Sequence, residues 1–329
     1  MVQTKKASIR VILGTGGTIA GRATAMADNV GYVAGEVAVS DLLAAVPPLA
    51  GLALEAEQIA QVDSKDMTFA IWRQLALRVA HHLERAEVQG VVITHGTDTL
   101  EETAWFLQSV LQPRKPVVMT CAMRPATAMV PDGPQNLLDA VAVAGSEDLV
   151  GVVVVCAGQV HRAEHVAKVH SYRLDAFGSG DAGPMGCVEE GGVRWFHGLP
   201  PAQGGAVVNR FQLDRVASAA VLPRVAVITS HADSDGAVVE GLLMLAEQDP
   251  TRRVRGIVVA ATGNGTVHVA LEKALLQAQA SGVRVVRATR CARGRVIPGV
   301  RSSFPDSAGL SPVKARLALA LDLMAEDSL

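Results

Sequence analysis

The chain has 329 residues, and 30 lysines and arginines against 32 aspartates and glutamates leave a net charge of −2. That balance gives no electrostatic case for nucleic acid or an anionic membrane as a partner. Hydrophobic residues make up 49% and aromatics only 3%, so about two domains are expected, with cores filled by Val, Leu, Ile and Ala.

The first residues carry lysines but no apolar stretch with a small-residue cleavage site. No run reaches the ~18 apolar residues of a membrane span, so a cytoplasmic location is expected. Cys121, Cys156, Cys187 and Cys291 stand far apart, with no C-x-x-C pair. Cys121 and Cys156 border apolar runs, which points to buried free thiols rather than disulfides or zinc ligands.

Residues 9–13 read as a first strand, followed by the loop Gly14-Thr15-Gly16-Gly17-Thr18-Ile19-Ala20-Gly21. A dinucleotide fingerprint beginning at Gly14 and Gly16 needs glycine where Ile19 stands, and no Walker lysine follows. A tight strand-to-helix turn is one reading. The other is a loop whose backbone comes close to a small ligand, with Thr15 and Thr18 as hydroxyls. Residues 22–37 turn to Gly, Ala, Asn and Asp around Tyr32, which reads as a long mobile loop of the kind that forms functional lids. A helix over 39–46 closes at Pro47-Pro48. A strand over 59–62 ends in Asp63-Ser64-Lys65-Asp66-Met67, and a helix over 68–83 follows.

The stretch 91–103, VVITHGTDTLEET, begins with a β-branched run suited to a buried parallel strand. Thr94 to Thr99 then crowd polar groups into a turn, and Leu100, Trp105, Leu107 and Leu111 fall into helical spacing. Asp98 is expected at the N-cap, with Glu101 as its capping-box partner. A strand over 116–119 leads into Thr120-Cys121-Ala122-Met123-Arg124-Pro125, then a helix over 136–144 and a strand over 152–156. Strands and helices alternating through short connections specify a parallel sheet covered on both faces. Chemistry in such sheets gathers at the carboxyl ends of the strands.

Residues 158–186 read as a polar loop. Within it, His161-Arg162-Ala163-Glu164-His165 matches H-x-x-E-H, a zinc-peptidase signature that requires a helix and a third ligand. It follows a strand within a few residues among β-branched neighbours, so no metal site is expected. From residue 198 the pattern weakens through Pro200-Pro201 and Gly204-Gly205. Strands over 225–229, 257–260 and 283–287 then alternate with helices over 237–248 and 267–280, and a last helix spans 312–324. The fold class is therefore α/β: a large doubly wound, mostly parallel-sheet N-terminal domain over 1–203, a linker over 204–222, and a smaller α/β domain over 223–329.

Several strand ends carry hydroxyls and carboxylates: Thr18, Ser64 with Asp66, and Thr97 with Asp98, while Lys168 lies beyond a further strand. A threonine hydroxyl is a weak nucleophile until a base takes its proton. A lysine can be that base when burial or neighbouring cations hold it neutral, and a nearby carboxylate orients it while favouring its charged form. The residues alone leave open a second reading, in which Thr97 and Asp98 only cap a helix and Lys168 is solvated.

TGGTIAG (residues 15–21), SKDM (64–67), HGTDTLEET (95–103), AMRP (122–125), and Lys168 ahead of DAFGS (175–179) occur in order. Together they resemble the bacterial L-asparaginase family, also called the asparaginase/glutaminase family, over most of the chain. The resemblance implies a large doubly wound domain followed by a smaller one, in a homotetramer built from close dimers. It implies hydrolysis of L-asparagine to aspartate and ammonia, with L-glutamine as a second substrate and no metal or organic cofactor. Thr18 corresponds to the nucleophile and Tyr32 to the tyrosine that activates it. Thr97, Lys168 and Asp98 correspond to the second catalytic group. Ser64 and Asp98 match ligands of the substrate's α-carboxylate and α-amino group, and Ala122 a backbone contact to the amide nitrogen. Gly17, Gly96 and Thr97 complete the substrate-binding set.

Three departures fall at the ammonium end of the substrate: Lys65 after the serine, Thr266 in the small domain, and no acidic residue between Glu272 and Asp306. An added cation and a missing carboxylate weaken capture of a free amino acid, so an amidase for an amide lacking a free α-amino group is an alternative. A flavodoxin-like binding module is another, though it has no need of Thr18, Tyr32, Thr97 and Lys168 together. A related tRNA-amidotransferase subunit carries an extra N-terminal domain, for which a first strand at Ile9 leaves no room.

Overall fold

Runs of β-branched residues become the inner strands of the larger unit because both their faces are covered. The computed structural model describes residues 8–25, 27–199, 206–297 and 303–327. These fall into two compact units that divide between Ser218 and Ala219. In the first unit, β1 (Ile9–Gly16), β2 (Leu54–Val62), β3 (Val88–Thr94), β4 (Pro116–Thr120) and β5 (Gly151–Cys156) run parallel. β6 (Gln159–Arg162), β9 (Gly186–Glu189) and β10 (Gly192–Trp195) extend the sheet antiparallel, while β7 (Ala167–Lys168) pairs with β8 (Phe177–Gly178) in a separate two-stranded sheet. The sheet order is β10-β9-β6-β5-β4-β3-β1-β2.

Strand residues Ile12, Val92, Val118 and Val153 share one buried core with α1 (Val39–Ala44) and α4 (Gly133–Ala144). Neither α2 (Phe69–Leu83) nor α3 (Leu100–Leu111) contributes to that core; they pack on each other and against β3 and β5, covering the opposite face. There Trp72 stacks on the fully buried Phe106 with ring centroids 5.1 Å apart. Truncating Phe106 to alanine would cost about 3–5 kcal/mol, the usual range for an aromatic lost from a close-packed core.

The start of α3 differs from the capping-box expectation. Thr99, not Asp98, occupies the N-cap position, and its side chain makes no capping hydrogen bond. The Asp98 and Glu101 carboxylates turn instead to Lys168, described below. The stretch 158–186 is also more ordered than a loop, since residues 159–162 add β6 to the sheet edge. Residues 210–218, inside the segment 204–222, form α5 (Arg210–Ser218), which buries Leu213 and Val216 and packs on α2 and α3. The expected boundary at 203 lies outside the described residues.

The second unit is a three-stranded parallel sheet, β11 (Val225–Thr229), β12 (Gly256–Ala261) and β13 (Arg284–Thr289), in that order. The helices α6 (Ala237–Gln248) and α7 (Val269–Ala280) cover one face around Val239, Ile257, Val259 and Leu275. The other face packs on α8 (Pro312–Glu326) through Val258, Leu319 and Leu323. None of the helices among the described residues is long and apolar enough to cross a membrane.

Candidate active site

The parallel strands lie in the order β2-β1-β3-β4-β5, so the chain reverses its direction of travel between β1 and β3. In open α/β sheets the crevice beyond the carboxyl ends of the strands at such a reversal is where ligands bind. Both threonine loops leave the sheet there, one after β1 and one after β3.

Close approach of the two backbones requires glycine in both loops. Gly17 has φ +80°, and a Cβ placed on it would lie 2.2 Å from the Gly96 nitrogen. A Cβ on Gly96 would lie 2.5 Å from Ser64 Oγ. The β1 loop is tied down on both sides: Thr15 Oγ1 donates to the Thr94 carbonyl at 2.9 Å and Gly17 N to the Val62 carbonyl at 2.9 Å.

Thr18 begins a short 3-10 turn and is buried, with 6% of its surface exposed. Its hydroxyl lies 2.6 Å from that of Tyr32. The loop that carries Tyr32 folds back over the β1 loop. Arg22 and Val33 exchange backbone hydrogen bonds of 2.9 and 3.0 Å, and Gly35 N donates to the Gly17 carbonyl at 3.1 Å. The Tyr32 ring packs directly on Gly21, where a Cβ would meet it at 2.8 Å. The expected lid residue is therefore seated against the glycine loop.

At the β3 end, Lys168 Nζ lies 2.8 Å from Thr97 Oγ1 and 2.6 Å from Asp98 Oδ1. Thr97 is buried and the Lys168 side chain only 20% exposed, whereas the Asp98 side chain is 53% exposed. The lysine thus bridges a buried hydroxyl and an open carboxylate. Lys168 N also donates to Glu101 Oε2 at 2.6 Å. Asp98 N donates to Ser64 Oγ at 3.1 Å, and Thr99 Oγ1 to the Ser64 carbonyl at 2.7 Å. Ser64 and Asp98 are thereby joined, as are Thr18 with Tyr32 and Thr97 with Lys168.

His95 supports this turn from below and is not available as a base. Burial pushes its pKa down to about 4, so the ring is neutral. Trp72 Nε1 donates to Thr103 Oγ1 at 2.9 Å, leaving the threonine hydrogen for His95 Nε2 at 3.0 Å. The other nitrogen, Nδ1, then carries the proton and donates to the Gly96 carbonyl at 2.7 Å.

Ala122, fully buried, follows β4 and is held by residues that sequence reasoning missed. The Asp132 carboxylate accepts from Met123 N at 2.9 Å and Arg124 N at 3.0 Å. Asn136 donates from Nδ2 to the Cys121 carbonyl at 3.0 Å and accepts from Ala157 N at 3.0 Å, lacing the ends of β4 and β5 together. The Pro-Asp-Gly-Pro segment was the available signal, since a carboxylate at a helix entry seeks free backbone N–H groups. Cys121 and Cys156 are buried free thiols 3.8 Å apart.

Lys65 is exposed, with its ammonium bonded to Asp66 and 3.9 Å from Asp63. The Asp66 hydrogen bond raises its pKa, so it is a cation whose charge is partly offset on the spot. Thr266 lies in the second unit, where its hydroxyl meets that of Thr262 at 2.9 Å across the TGNGT turn. The histidines of H-x-x-E-H do not converge. His161 is buried on β6 with Nδ1 2.8 Å from Ser179 Oγ, and His165 is exposed beside Glu164. Among the described residues no cluster of His, Cys, Asp and Glu is arranged to hold a metal.

Comparison with known proteins shows which family the sequence and fold resemble. Family models described as "Asparaginase, N-terminal" and "Glutaminase/Asparaginase C-terminal domain" match residues 10–200 and 224–329. The glutaminase-asparaginase of Pseudomonas fluorescens biotype A is 35% identical over 324 residues, covering 96% of this chain and 86% of its own. L-asparaginase 2 of Bacillus subtilis is 36% identical over 321 residues, 95% of this chain and 81% of its own. The crystal structure of a probable cytoplasmic L-asparaginase from Campylobacter jejuni superposes with a TM-score of 0.83 at 35% identity, covering 97% of this chain and 95% of that one. On both halves of the sequence and on its fold, the chain belongs to the asparaginase family.

Proposed function

We propose that the protein is an L-asparagine amidohydrolase that works through an acyl-enzyme on Thr18, with L-glutamine as a weaker substrate. The observation that carries this reading is the pair of hydroxyl contacts, Thr18 to Tyr32 at 2.6 Å and Thr97 to Lys168 at 2.8 Å, on loops that meet at Gly17 and Gly96.

Thr18 Oγ1 attacks the side-chain amide carbon while its proton passes to the Tyr32 oxygen, which gives its own phenolic proton to the amide nitrogen. Backbone N–H groups at the glycine turns stabilise the developing oxyanion. Collapse of the tetrahedral intermediate breaks the C–N bond, and the nitrogen leaves as ammonia after taking up a proton. Water then attacks the Thr18 ester, its proton passing through Thr97 to the Lys168 amine; the acyl C–O bond breaks, Thr18 Oγ1 is reprotonated through Tyr32, and aspartate is released. Ser64 binds the substrate's α-carboxylate, Asp98 its α-ammonium, and the Ala122 carbonyl the amide nitrogen. The exposure of Asp98 beside the buried Thr97 suits a carboxylate that meets an incoming ammonium.

Lys65 is what favours a second reading, an amidase for a substrate without a free α-amino group. Its pairing with Asp66 and Asp63 offsets that argument, and L-asparagine remains the primary assignment. An ammonia-release panel of L-asparagine, L-glutamine, both D-enantiomers and an N-blocked asparagine separates the two. Fastest release from L-asparagine is expected; faster release from the blocked amide would favour the second reading. A homotetramer of close dimers and a cytoplasmic location, the latter in keeping with the Campylobacter jejuni relative, complete the proposal. Light scattering and cell fractionation test them.

A further inference from the structure

Lys168 sits where a lysine would be poorly held by local structure alone. Its strand, β7, has two residues and, among the described residues, pairs only with the two residues of β8, outside the eight-stranded sheet. A lysine side chain also carries four flexible torsions, so an anchored Nζ requires an anchored backbone. The turn into α3 supplies both anchors. Thr97 and Asp98 take the Nζ, and three residues after Asp98 the Glu101 carboxylate accepts the Lys168 backbone N–H at 2.6 Å. Spacing of three residues at the entry to a helix brings Asp98 and Glu101 to one side, where a single residue can meet both.

We propose that Glu101 is a positioning residue for Lys168: by holding the lysine's backbone it sets the reach of Nζ to Thr97. Two other roles for this carboxylate do not account for what it does. It does not stand at the capping-box position, because with Thr99 at the N-cap the third helical residue is Glu102. Nor does the helix dipole need it, because Glu102 occupies the same first turn. It is not a catalytic residue, since what it holds is a backbone amide. The inference rests on the proposed role of Lys168 in turnover.

Four variants assayed with L-asparagine test it: Glu101→Ala, Glu101→Gln, Lys168→Ala and the Glu101→Ala/Lys168→Ala double. Misplacing a reacting group by about 1 Å costs on the order of a hundredfold in rate. Glu101→Ala is therefore expected to lower kcat roughly ten- to a hundredfold, with KM within about threefold of wild type. Glu101→Gln keeps an acceptor oxygen at the same reach and should restore most of that loss. In the Lys168→Ala background, Glu101→Ala should cost nothing more, because residues acting through one contact are non-additive. If Glu101→Ala does not fold, Glu101→Met preserves length without a strong acceptor and takes its place. Wild-type kcat in the Ala or Met variant, or an equal loss with and without Lys168, would overturn the proposal while leaving the role of Lys168 intact. Full activity in Lys168→Ala would overturn both.

Discussion

Gly17 and Gly96 touch backbone to backbone, one after the first strand and one after the third, with 2.2 Å between a Cβ built on Gly17 and the Gly96 nitrogen. Each immediately precedes a threonine of the proposed mechanism. The contact brings the Thr18 and Thr97 loops together, and any side chain at Gly17 must push them apart. With φ at +80° the residue is also strained for any L side chain. Gly17→Ala is therefore expected to abolish ammonia release and to lower stability by about 3 kcal/mol or more, read from urea unfolding.

Thr97 and Lys168 make a separate prediction. Removing the hydroxyl in Thr97→Val leaves Lys168 without its buried partner, and turnover should fall roughly 10²–10⁴-fold, the range for a lost acid–base group. Thr97→Ser should retain most activity. Equal loss in the Val and Ser variants would mean that shape, not the hydroxyl, matters at this position.

Lys65 places a cation close to where the α-ammonium is proposed to bind. Lys65→Gln removes it and leaves the Asp63 and Asp66 carboxylates to attract the substrate. The expected outcome is a KM for L-asparagine lower by about two- to fivefold, as for an exposed charge pair, with kcat unchanged and the difference shrinking in high salt.

Two buried histidines set an acid limit. Burial holds both His95 and His161 down to about 4, whereas in the unfolded chain each takes a proton near 6.5. Between those values the unfolded state binds more protons, so stability is fully present above about pH 6.5 and falls as pH drops toward 4. The loss should approach about 3 kcal/mol for each by pH 4. Unfolding free energies at pH 7.5 and 4.5 measure it, and nitrogen-detected NMR should find both rings neutral at pH 5.

The legible parts of the fold were those whose signal is local. β11 and α6 coincide with the expected spans because unbroken apolar runs and the residues that end them adjoin in sequence. The glycine loop after the first strand was legible as a tight turn because Gly14, Gly16 and Gly17 stand together there, and Gly17 takes a φ of +80°. What was not legible depends on distant partners. Asp98 and Glu101 have capping-box spacing, yet Lys168, some seventy residues later, takes both carboxylates. The strand at 159–162 was hidden because its partners are a neighbour and the distant β9, and a short edge strand has little periodicity of its own. Asp132 and Asn136 escaped notice because they bind backbone atoms, which leave no trace in residue type.

The central claim is that a covalent bond forms at Thr18, and ammonia release from L-asparagine by Thr18→Ala tests it most directly. The hydroxyl removed is the proposed nucleophile, and its partner Tyr32 cannot replace it. A folded Thr18→Ala protein is predicted to release no ammonia above background at enzyme concentrations where the wild type turns over fully. Turnover at the wild-type rate would contradict the mechanism.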